Sequence, residues 1–449
     1  MKFVNVLFVV LLYCTHLSAQ VTLPNNLYFT HIGVEDGLCQ NTVCCILQDH
    51  LGFIWLGTKD GLTRYDGYRF RVFKHDAADP MSIGNNFIRV LYEDADGLIW
   101  IGTNVGVYIY NPETENFRKF DVATERGDVI SREVSSIKCD SSGDLWIGVN
   151  WQGVFRYDRR DESLELYEPV PGDTTSLSSV HVWDLCFDGD GNLWVGSQNG
   201  GLDRYDRETD RFVRHRLKGL SDVSRIVLDK QNQLLLGTMK DGLFSFNPYM
   251  GTCQPLLLDS GHKDLFVRAI FVRNSREVVV GTENGIYIYD CVTRKTRHVN
   301  QELGNPYSLS CKAVYSIYCD KEGALWIGTY FGGVNYLPPS SSLIFDKFYP
   351  IGHSDRLSGK AVREFVRDES GIIWIGTEDQ GLNRFDPVSG KFTHYNSRNS
   401  GLSCDNVHGL CVDGDRLYIG TFFGGFNIMD LKTNEIVALG SQMLPDDSV

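Results

Sequence analysis

The chain has little proline, no excess of positive charge and no long apolar stretch after its first residues. Only 13 of its 449 residues are proline, whereas 45 are glycine, and 42% are hydrophobic against 22% charged. This balance excludes intrinsic disorder and is typical of a folded, turn-rich protein. The formal net charge of −14 opposes bulk attraction to nucleic acid or to an anionic membrane, so we expect no nucleic-acid partner.

Residues 1–19 have the pattern of an export signal. Lys2 precedes an apolar run from Phe3 to Leu12, and the small residues Ser18 and Ala19 precede Gln20. A run of this length is too short to span a bilayer comfortably, which favours a cleaved signal peptide over a membrane anchor. No later segment is long and apolar enough for a membrane span. We therefore predict an exported product with no transmembrane segment in this chain.

Paired cysteines and catalytic signatures are also missing. No two of the 12 cysteines have Cys-x-x-Cys spacing. Cys139, Cys186 and Cys319 occupy the same position in different repeats, just before the Asp that opens a turn. Cysteines in equivalent slots are too far apart to bond, so we interpret most of them as small buried hydrophobes and expect no metal and no cofactor. No Gly-x-Ser-x-Gly, His-Glu-x-x-His or P-loop motif occurs, and we predict no catalytic residues.

What the sequence does contain is one unit repeated nine times. Each unit has a strand-like run that ends in a glycine, 41 to 48 residues after the last one: Gly57, Gly102, Gly148, Gly196, Gly237, Gly281, Gly328, Gly376 and Gly420. Two further β-rich runs flank it, and a fourth lies near Phe70, Phe117, Phe212 or Phe392. Four antiparallel strands per repeat of this length predict the blades of a β-propeller.

The two ends of the repeat region predict how many blades close into one ring. Leu27 to His31 has the pattern of a displaced fourth strand that can complete the seventh unit at 311–337, and Pro338 to Ser342 then interrupts the repeat. Leu343 to Tyr349 resembles a second displaced strand. We predict an all-β fold: a seven-bladed β-propeller over 20–340, then the first two blades of a second, incomplete propeller over 341–449. A single nine-bladed ring is the alternative.

One stretch resembles a known family closely. Asp49-x-x-Gly52-Phe-Ile-Trp55-Leu-Gly57-Thr58 is similar to the two-component regulator propeller repeat, and segments from Leu357, Trp374 and Val407 resemble the sensor regions of hybrid two-component systems of gut Bacteroidetes. The resemblance implies a periplasmic sensor for glycan breakdown products. In that family a further β-domain, a transmembrane helix and a histidine kinase follow. This chain ends at Val449, so we expect a truncated sensor without kinase, and dimerisation through the missing regions stays open.

The candidate ligand-binding residues are those at which the repeats differ. One such position directly follows the repeated Val or Ile of each first strand, and side-chain alternation predicts that it faces the central channel or its mouth. Another is the turn after each Gly-Thr. Arginine binds carboxylate or sulfate and flat aromatic rings stack on sugars, which predicts a saccharide site formed by Arg89, Trp183, Arg268, Tyr315, Trp151 and Tyr330. The alternative is a channel lined by solvated side chains and by rings that pack between blades.

Three functions remain open from the sequence. The first is recognition of an oligosaccharide by a sensor, without chemistry. The second is a propeller-fold glycosidase or polysaccharide lyase, which needs paired carboxylates or a His/Tyr pair in the channel. The third is a protein-interaction scaffold, which an export signal makes a poorer fit.

Overall fold

A computed structural model describes residues 22–217, 220, 222–257, 265–339, 347–348 and 356–439. The predicted signal peptide and most of Leu343 to Tyr349 lie outside these residues. The first strand, β1, spans Thr30–Ile32 and is followed by a 3-10 turn at Val34–Asp36. In the described part of the chain, no helix is long and apolar enough to cross a membrane.

Among the described residues, β1 and the other strands form nine four-stranded antiparallel sheets, which we call blades 1 to 9. The strands of blades 1 to 3 are β2 (Val43–Gln48), β3 (Ile54–Thr58), β4 (Gly61–Tyr65), β5 (Phe70–Phe73); β6 (Ile88–Glu93), β7 (Ile99–Thr103), β8 (Gly106–Asn111), β9 (Asn116–Lys119); and β10 (Val134–Cys139), β11 (Leu145–Val149), β12 (Gly153–Asp158), β13 (Ser163–Tyr167). The strands of blades 4 to 6 are β14 (Val182–Phe187), β15 (Leu193–Ser197), β16 (Gly201–Asp206), β17 (Arg211–His215); β18 (Val223–Leu228), β19 (Leu234–Thr238), β20 (Leu243–Asn247), β21 (Thr252–Leu257); and β22 (Val267–Val272), β23 (Glu277–Thr282), β24 (Gly285–Asp290), β25 (Thr296–Val299).

Blade 7 differs because its fourth strand comes from the start of the chain. It contains β26 (Val314–Cys319), β27 (Leu325–Thr329) and β28 (Val334–Leu337), and β1 pairs with β28 in the register Thr30 to Tyr336 and Ile32 to Val334. Phe29, only 2% exposed, packs in the core of this blade. The predicted closure by the N-terminal strand is confirmed, although the strand is shorter than Leu27 to His31 and extends one residue beyond it.

Contacts between blade 7 and blade 1 complete the ring. The first strands β2 and β26 lie side by side, as do the first strands of every other consecutive pair of blades from 1 to 7. A side chain at Gly328 of blade 7 would lie 2.8 Å from the Val43 carbonyl of blade 1, and one at Gly57 would meet Ile88 of blade 2. The repeated glycine therefore allows each second strand to lie against the next blade.

Blades 8 and 9 belong to a second compact unit. Their strands are β29 (Val362–Arg367), β30 (Ile373–Thr377), β31 (Leu382–Asp386), β32 (Lys391–Tyr395), β33 (Val407–Asp413), β34 (Arg416–Thr421), β35 (Gly425–Asp430) and β36 (Ile436–Leu439). The units comprise residues 1–302 with 307–344, and 303–306 with 345–449. Trp374, Val407 and Leu417 share one core within the second unit. The predicted boundary at residue 340 falls outside the described residues and stays a prediction.

The cysteines are less buried than the sequence suggested. Of the eleven cysteines in the described residues, only Cys186 is fully buried, nine are half-buried, and Cys411 is exposed. All eleven are free thiols. Cys139 and Cys319 are the last residues of β10 and β26, directly before the aspartate of the next turn, and both keep partial contact with solvent. The interpretation of most cysteines as fully buried was therefore wrong, although five of them still pack against blade cores: Cys45, Cys139, Cys253, Cys291 and Cys319.

Candidate functional site

The divergent position of each first strand is the extra residue of a β-bulge. In blade 1 Val43 pairs with Thr58 and Cys45 pairs with Gly57, so that Cys44 is left unpaired between them. The same register shift recurs in every blade, and the extra residues are Cys44, Arg89, Ser135, Trp183, Ser224, Arg268, Tyr315, Arg363 and His408. A bulge re-aims its side chain. The direction of these side chains therefore depends on the bulge and not on simple alternation.

Three bulge residues of the ring contact the turn between the second and third strands of their own blade. Arg89 Nε donates to Asn104 Oδ1 at 2.8 Å, and Arg268 Nε donates to Glu283 Oε1 at 2.7 Å. Tyr315 packs on Tyr330 with ring centroids 5.1 Å apart. In all three pairs the turn residue follows the bulge residue by fifteen positions. The two divergent positions thus form one surface on the same face of the ring.

The turns also contact the chain that enters the first strand of the next blade. The backbone N–H of Gly61 donates to the carbonyl of Asn86 at 2.7 Å, and that of Trp151 donates to the carbonyl of Val180 at 2.9 Å. These bonds place the turns and the entering segments on one face. We call this face the channel mouth.

Aromatic rings and cations form a continuous surface at the mouth, which we call the mouth arc. In blades 6 and 7 the Arg268 guanidinium carbon lies 3.8 Å from the ring centroid of Phe266 and 4.6 Å from that of Tyr315. Tyr330 extends the surface from Tyr315 toward blade 1. Cation–π attraction holds these planes face to face with the guanidinium.

The mouth arc continues through blades 1 and 2. Lys59 Nζ donates to the Tyr330 hydroxyl at 2.9 Å and lies 4.0 Å from the centroid of its ring. It also lies 5.7 Å from the ring centroid of Phe87, on which the guanidinium of Arg89 stacks at 4.2 Å. The two arginines proposed from the sequence thus belong to one contiguous surface that crosses four blades.

Both arginines of the mouth arc have carboxylate partners. Arg89 Nη2 lies 3.0 Å from Glu133 Oε1 of blade 3, and Arg268 is paired with Glu283 of its own blade. The pairs are partly exposed, so donors and acceptors stand side by side at the surface. A hydroxyl group both donates and accepts a hydrogen bond, whereas a carboxylate only accepts. This arrangement suits neutral sugar hydroxyls better than an acidic group.

Trp151 forms a separate aromatic feature at the mouth. Its backbone has a φ of 71°, which a bulky side chain rarely adopts and which costs about 1–3 kcal/mol. The indole is 66% exposed and packs edge-on against His181, with centroids 4.1 Å apart. His181 Nδ1 in turn lies 3.2 Å from Asn150 Oδ1. The structure therefore holds a large ring in solvent at the cost of backbone strain.

Trp183, like Trp151, makes no hydrogen bond or ring contact with the mouth arc among the described residues. Its Nε1 is buried, and no hydrogen-bond partner for it exists among the described residues. Within the same residues, no hydrogen bond or ring contact joins Trp183 to Arg89, Trp151 or the mouth arc. The structure thus brings together Arg89, Arg268, Tyr315 and Tyr330, while Trp151 and Trp183 lie on blades 3 and 4.

The third strand of blade 4, β16, contains a buried carboxyl group. Asp203 is fully buried and its Oδ2 accepts the Ser178 backbone N–H at 2.8 Å, whereas Oδ1 has no hydrogen-bond partner among the described residues. Asparagine takes the equivalent position in blades 7, 8 and 9, and Asn335 there donates its Nδ2 to Ser310 Oγ at 2.9 Å. Burial raises the pKa of Asp203 to about 6.

Sequence reasoning missed the residues that complete the mouth. Lys59, Phe87 and Phe266 are three of the seven residues of the mouth arc, and Glu133 and Glu283 pair with its arginines. Phe87, Glu133 and Phe266 share one signal, since each directly precedes the repeated Val or Ile of a first strand. That position varies between repeats as much as the bulge residue does.

The closed ring of four-stranded sheets defines the described fold as an all-β propeller. Four segments, residues 37–60, 82–105, 176–199 and 308–331, match the family described as two component regulator propeller. The chain therefore carries two-component regulator propeller repeats. Among curated proteins, histidine kinase P4 of Formosa agariphila is 39% identical over 59 residues, which are 13% of this chain and 4% of that protein.

The fold is similar to those of solved extracellular domains. The extracellular domain assigned to the hybrid two component system BT3049 of B. thetaiotaomicron is 27% identical, with a TM-score of 0.75 over 92% of this chain and 55% of that one. That of BT4673 from the same organism is 21% identical, with a TM-score of 0.61 over 94% and 54%. A streptogramin B lyase is 13% identical, with a TM-score of 0.52 over 70% and 97%. The last two likenesses show the fold alone, and this chain spans about half of the extracellular domains.

Proposed function

We propose that this chain is the ligand-binding part of a periplasmic sensor in a hybrid two-component system, and that it recognises oligosaccharides at the channel mouth of its seven-bladed ring. The repeats and the similarity to the extracellular domain of BT3049 support the sensor role. The export pattern of residues 1–19 supports the location. Binding then produces a signal without a chemical step in this chain.

The single observation that carries the proposal is the mouth arc. Its rings, Phe87, Tyr315, Tyr330 and Phe266, are partly exposed with a cation over one face, and flat rings of this kind are surfaces on which pyranose rings stack. The Arg89–Glu133 and Arg268–Glu283 pairs lie beside these rings and supply donors and acceptors for hydroxyl groups. The surface is long enough to cross four blades, which fits several linked sugars better than one. Because both arginines are already neutralised, the expected ligand is a neutral oligosaccharide.

Isothermal titration calorimetry with a panel of oligosaccharides of two to six units, neutral and uronic, tests the proposal. We expect at least one neutral member to bind, and Tyr330→Ala to weaken that binding tenfold or more. Tyr68→Ala is the matched control, because Tyr68 is 87% exposed in a turn between third and fourth strands, away from the mouth. Absence of any binding member, or equal affinity in the Tyr330 variant, would contradict the proposal.

The same incubations separate a sensor from an enzyme. The carboxylates that pair with the arginines of the mouth arc are Glu133 and Glu283, and each is held by its arginine. We expect chromatography to recover every oligosaccharide at its original length. Shorter products that disappear in a Glu283→Gln variant would replace the sensor with a glycosidase or lyase.

A further inference from the structure

We propose that the channel of the seven-bladed ring binds a small oxyanion, a carboxylate or sulfate group, at the guanidinium of Arg225. This site lies one residue deeper on the first strand than the bulge residues. It does not depend on saccharide recognition at the mouth, so that either proposal can fail without the other.

The position of Arg225 in its strand places it near the ring axis. Arg225 follows the bulge residue Ser224 and pairs with Gly237. Its charge interacts with groups of four other blades, namely Cys44, Arg89, Asp184 and Arg268. A side chain reaches the fields of so many blades only from the channel that all of them share. The residues at the same register position of the other blades are Cys45, Val90, Ser136, Asp184, Ala269 and Ser316.

Those six side chains are all shorter than arginine. Two are serine, and one each is alanine, cysteine, valine and aspartate, so arginine is the one long side chain at this register position of the seven blades. Arg225 keeps partial contact with solvent. Its guanidinium is therefore accessible to a ligand of a few atoms.

Arg225 has hydrogen bonds but no carboxylate partner. Its Nε donates to the carbonyl of Arg268 at 2.7 Å, and its Nη1 donates to the carbonyl of Ser224 at 2.8 Å. No ion pair to Arg225 forms among the described residues. Burial lowers the pKa of Arg225, which shows how poorly the protein itself compensates its charge. A buried cation without an acid is costly, and a bound oxyanion offsets that cost.

The one acid that acts on Arg225 is engaged elsewhere. Asp184 Oδ1 accepts from Ser136 Oγ and from its neighbour Leu185 N, both at 2.9 Å, and Asp184 Oδ2 accepts from Ile226 N at 3.0 Å. These three bonds fix the carboxylate between blades 3, 4 and 5. It weakens the positive field without supplying an acceptor to the guanidinium. Arg225 therefore keeps its Nη2 edge for a second, bidentate partner.

The ¹⁹F NMR linewidth of millimolar trifluoroacetate tests the site on the full chain. We expect the protein to broaden the signal, and Arg225→Met to reduce the affinity at least tenfold. Arg160→Met is the control, because Arg160 is 71% exposed and paired with Asp158 far along the third strand. An absence of broadening with the unmodified protein, or equal broadening with Arg225→Met, would overturn the proposal.

A second variant keeps the test decisive if Arg225→Met fails to fold. Asp184→Asn removes the opposing negative charge, so trifluoroacetate should bind several-fold more tightly; unchanged or weaker binding would refute the site. Competition then identifies the source of the oxyanion. Equal displacement by acetate, sulfate and glucuronate indicates a free small anion. Displacement by glucuronate at tenfold lower concentration indicates an acidic group carried on a sugar.

Discussion

Trp194 donates its Nε1 proton to Asp188 Oδ2 at 2.8 Å across the turn between the first two strands of blade 4. Oδ1 of the same aspartate accepts the backbone N–H groups of Asp190 and Asn192. The same aspartate–tryptophan bond occurs at Asp49–Trp55, Asp94–Trp100, Asp140–Trp146, Asp320–Trp326 and Asp368–Trp374. One carboxylate therefore closes the turn and also satisfies a buried indole.

Removing this carboxylate should cost more in blade 4 than in blade 5. Asp229 closes the turn of blade 5 through Gln231 N and Gln233 N, but Leu235 replaces the tryptophan there. We expect Asp188→Ala to lower the free energy of unfolding by about 1–3 kcal/mol more than Asp229→Ala, because only the former leaves an indole N–H unsatisfied. Urea denaturation measures the difference, and equal losses would show that the bond to tryptophan adds nothing.

Asp203→Asn should stabilise the protein at neutral pH. Burial raises the pKa of Asp203 from its ordinary 3.8 to about 6, so the folded state binds a proton more tightly than the unfolded state between these values. Stability from this group therefore falls as pH rises from 3.8 to 6, by about 3 kcal/mol at 1.36 kcal/mol per pKa unit. We expect the variant to gain up to that amount at pH 7.5 and almost nothing near pH 4.

The reverse substitution in blade 7 is the matched control. Asn335 Oδ1 accepts the Ser310 backbone N–H at 2.8 Å, as Asp203 Oδ2 does from Ser178. Asn335→Asp should destabilise the ring at pH 7.5 and much less at pH 4. If both variants gave the same change at both pH values, in chemical denaturation, ionisation of Asp203 would not be the cause.

Phe29 should be essential for closing the ring. It is 2% exposed and packs with Leu325, Ile327 and Leu337 of blade 7. Phe29→Ala should cost about 3–5 kcal/mol, as large core truncations do, and should speed proteolysis near residue 30. Val34→Ala, at a side chain 44% exposed just after β1, should change stability by less than about 0.5 kcal/mol. A mild effect of Phe29→Ala would mean that the ring holds without this strand.

The seven blades should fold without the rest of the chain. Residues 20–340 include every strand of the closed ring, whereas blade 8 exposes Phe365 (70%) on its first strand. We expect a chain of 20–340 to be monodisperse and to retain the main calorimetric transition of the full chain. Aggregation of the shorter chain, with the longer one monodisperse, would favour a nine-bladed ring.

Most of the fold could be predicted because each repeat contains the same pattern of strand and turn residues. The spacing from Gly57 to Gly102 gives the blade, and the Asp-x-x-Gly turn gives its first hairpin. The β-bulge could not be predicted, since a register shift at Cys44 depends on hydrogen bonds to the next strand and leaves no residue-type signal. The same applies to the indole bond of Trp194, because packing alone already explained a tryptophan there.

The candidate site was predictable only in part. Arg89 and Tyr315 could be identified because they differ from the residues at the same position of other repeats. Glu133, however, lies about one repeat after Arg89 in the chain and pairs with it only because neighbouring blades pack together. The electrostatic environment of Arg225 could not be predicted either, since it comes from five blades. Sequence variation finds candidates, whereas their charge partners require the three-dimensional arrangement.

The fifteen-residue relation between bulge and turn has a consequence for how such proteins diversify. In blade 7 Tyr315 and Tyr330 form one couple, while Asp320 and Trp326 secure the opposite end of the same hairpin. Substitution of Tyr315 and Tyr330 leaves the hydrogen bond between Asp320 and Trp326, at the other end of the hairpin, in place. A gene family built on this plan can acquire new ligand specificities in small steps, one hairpin at a time, and keep its fold at every step.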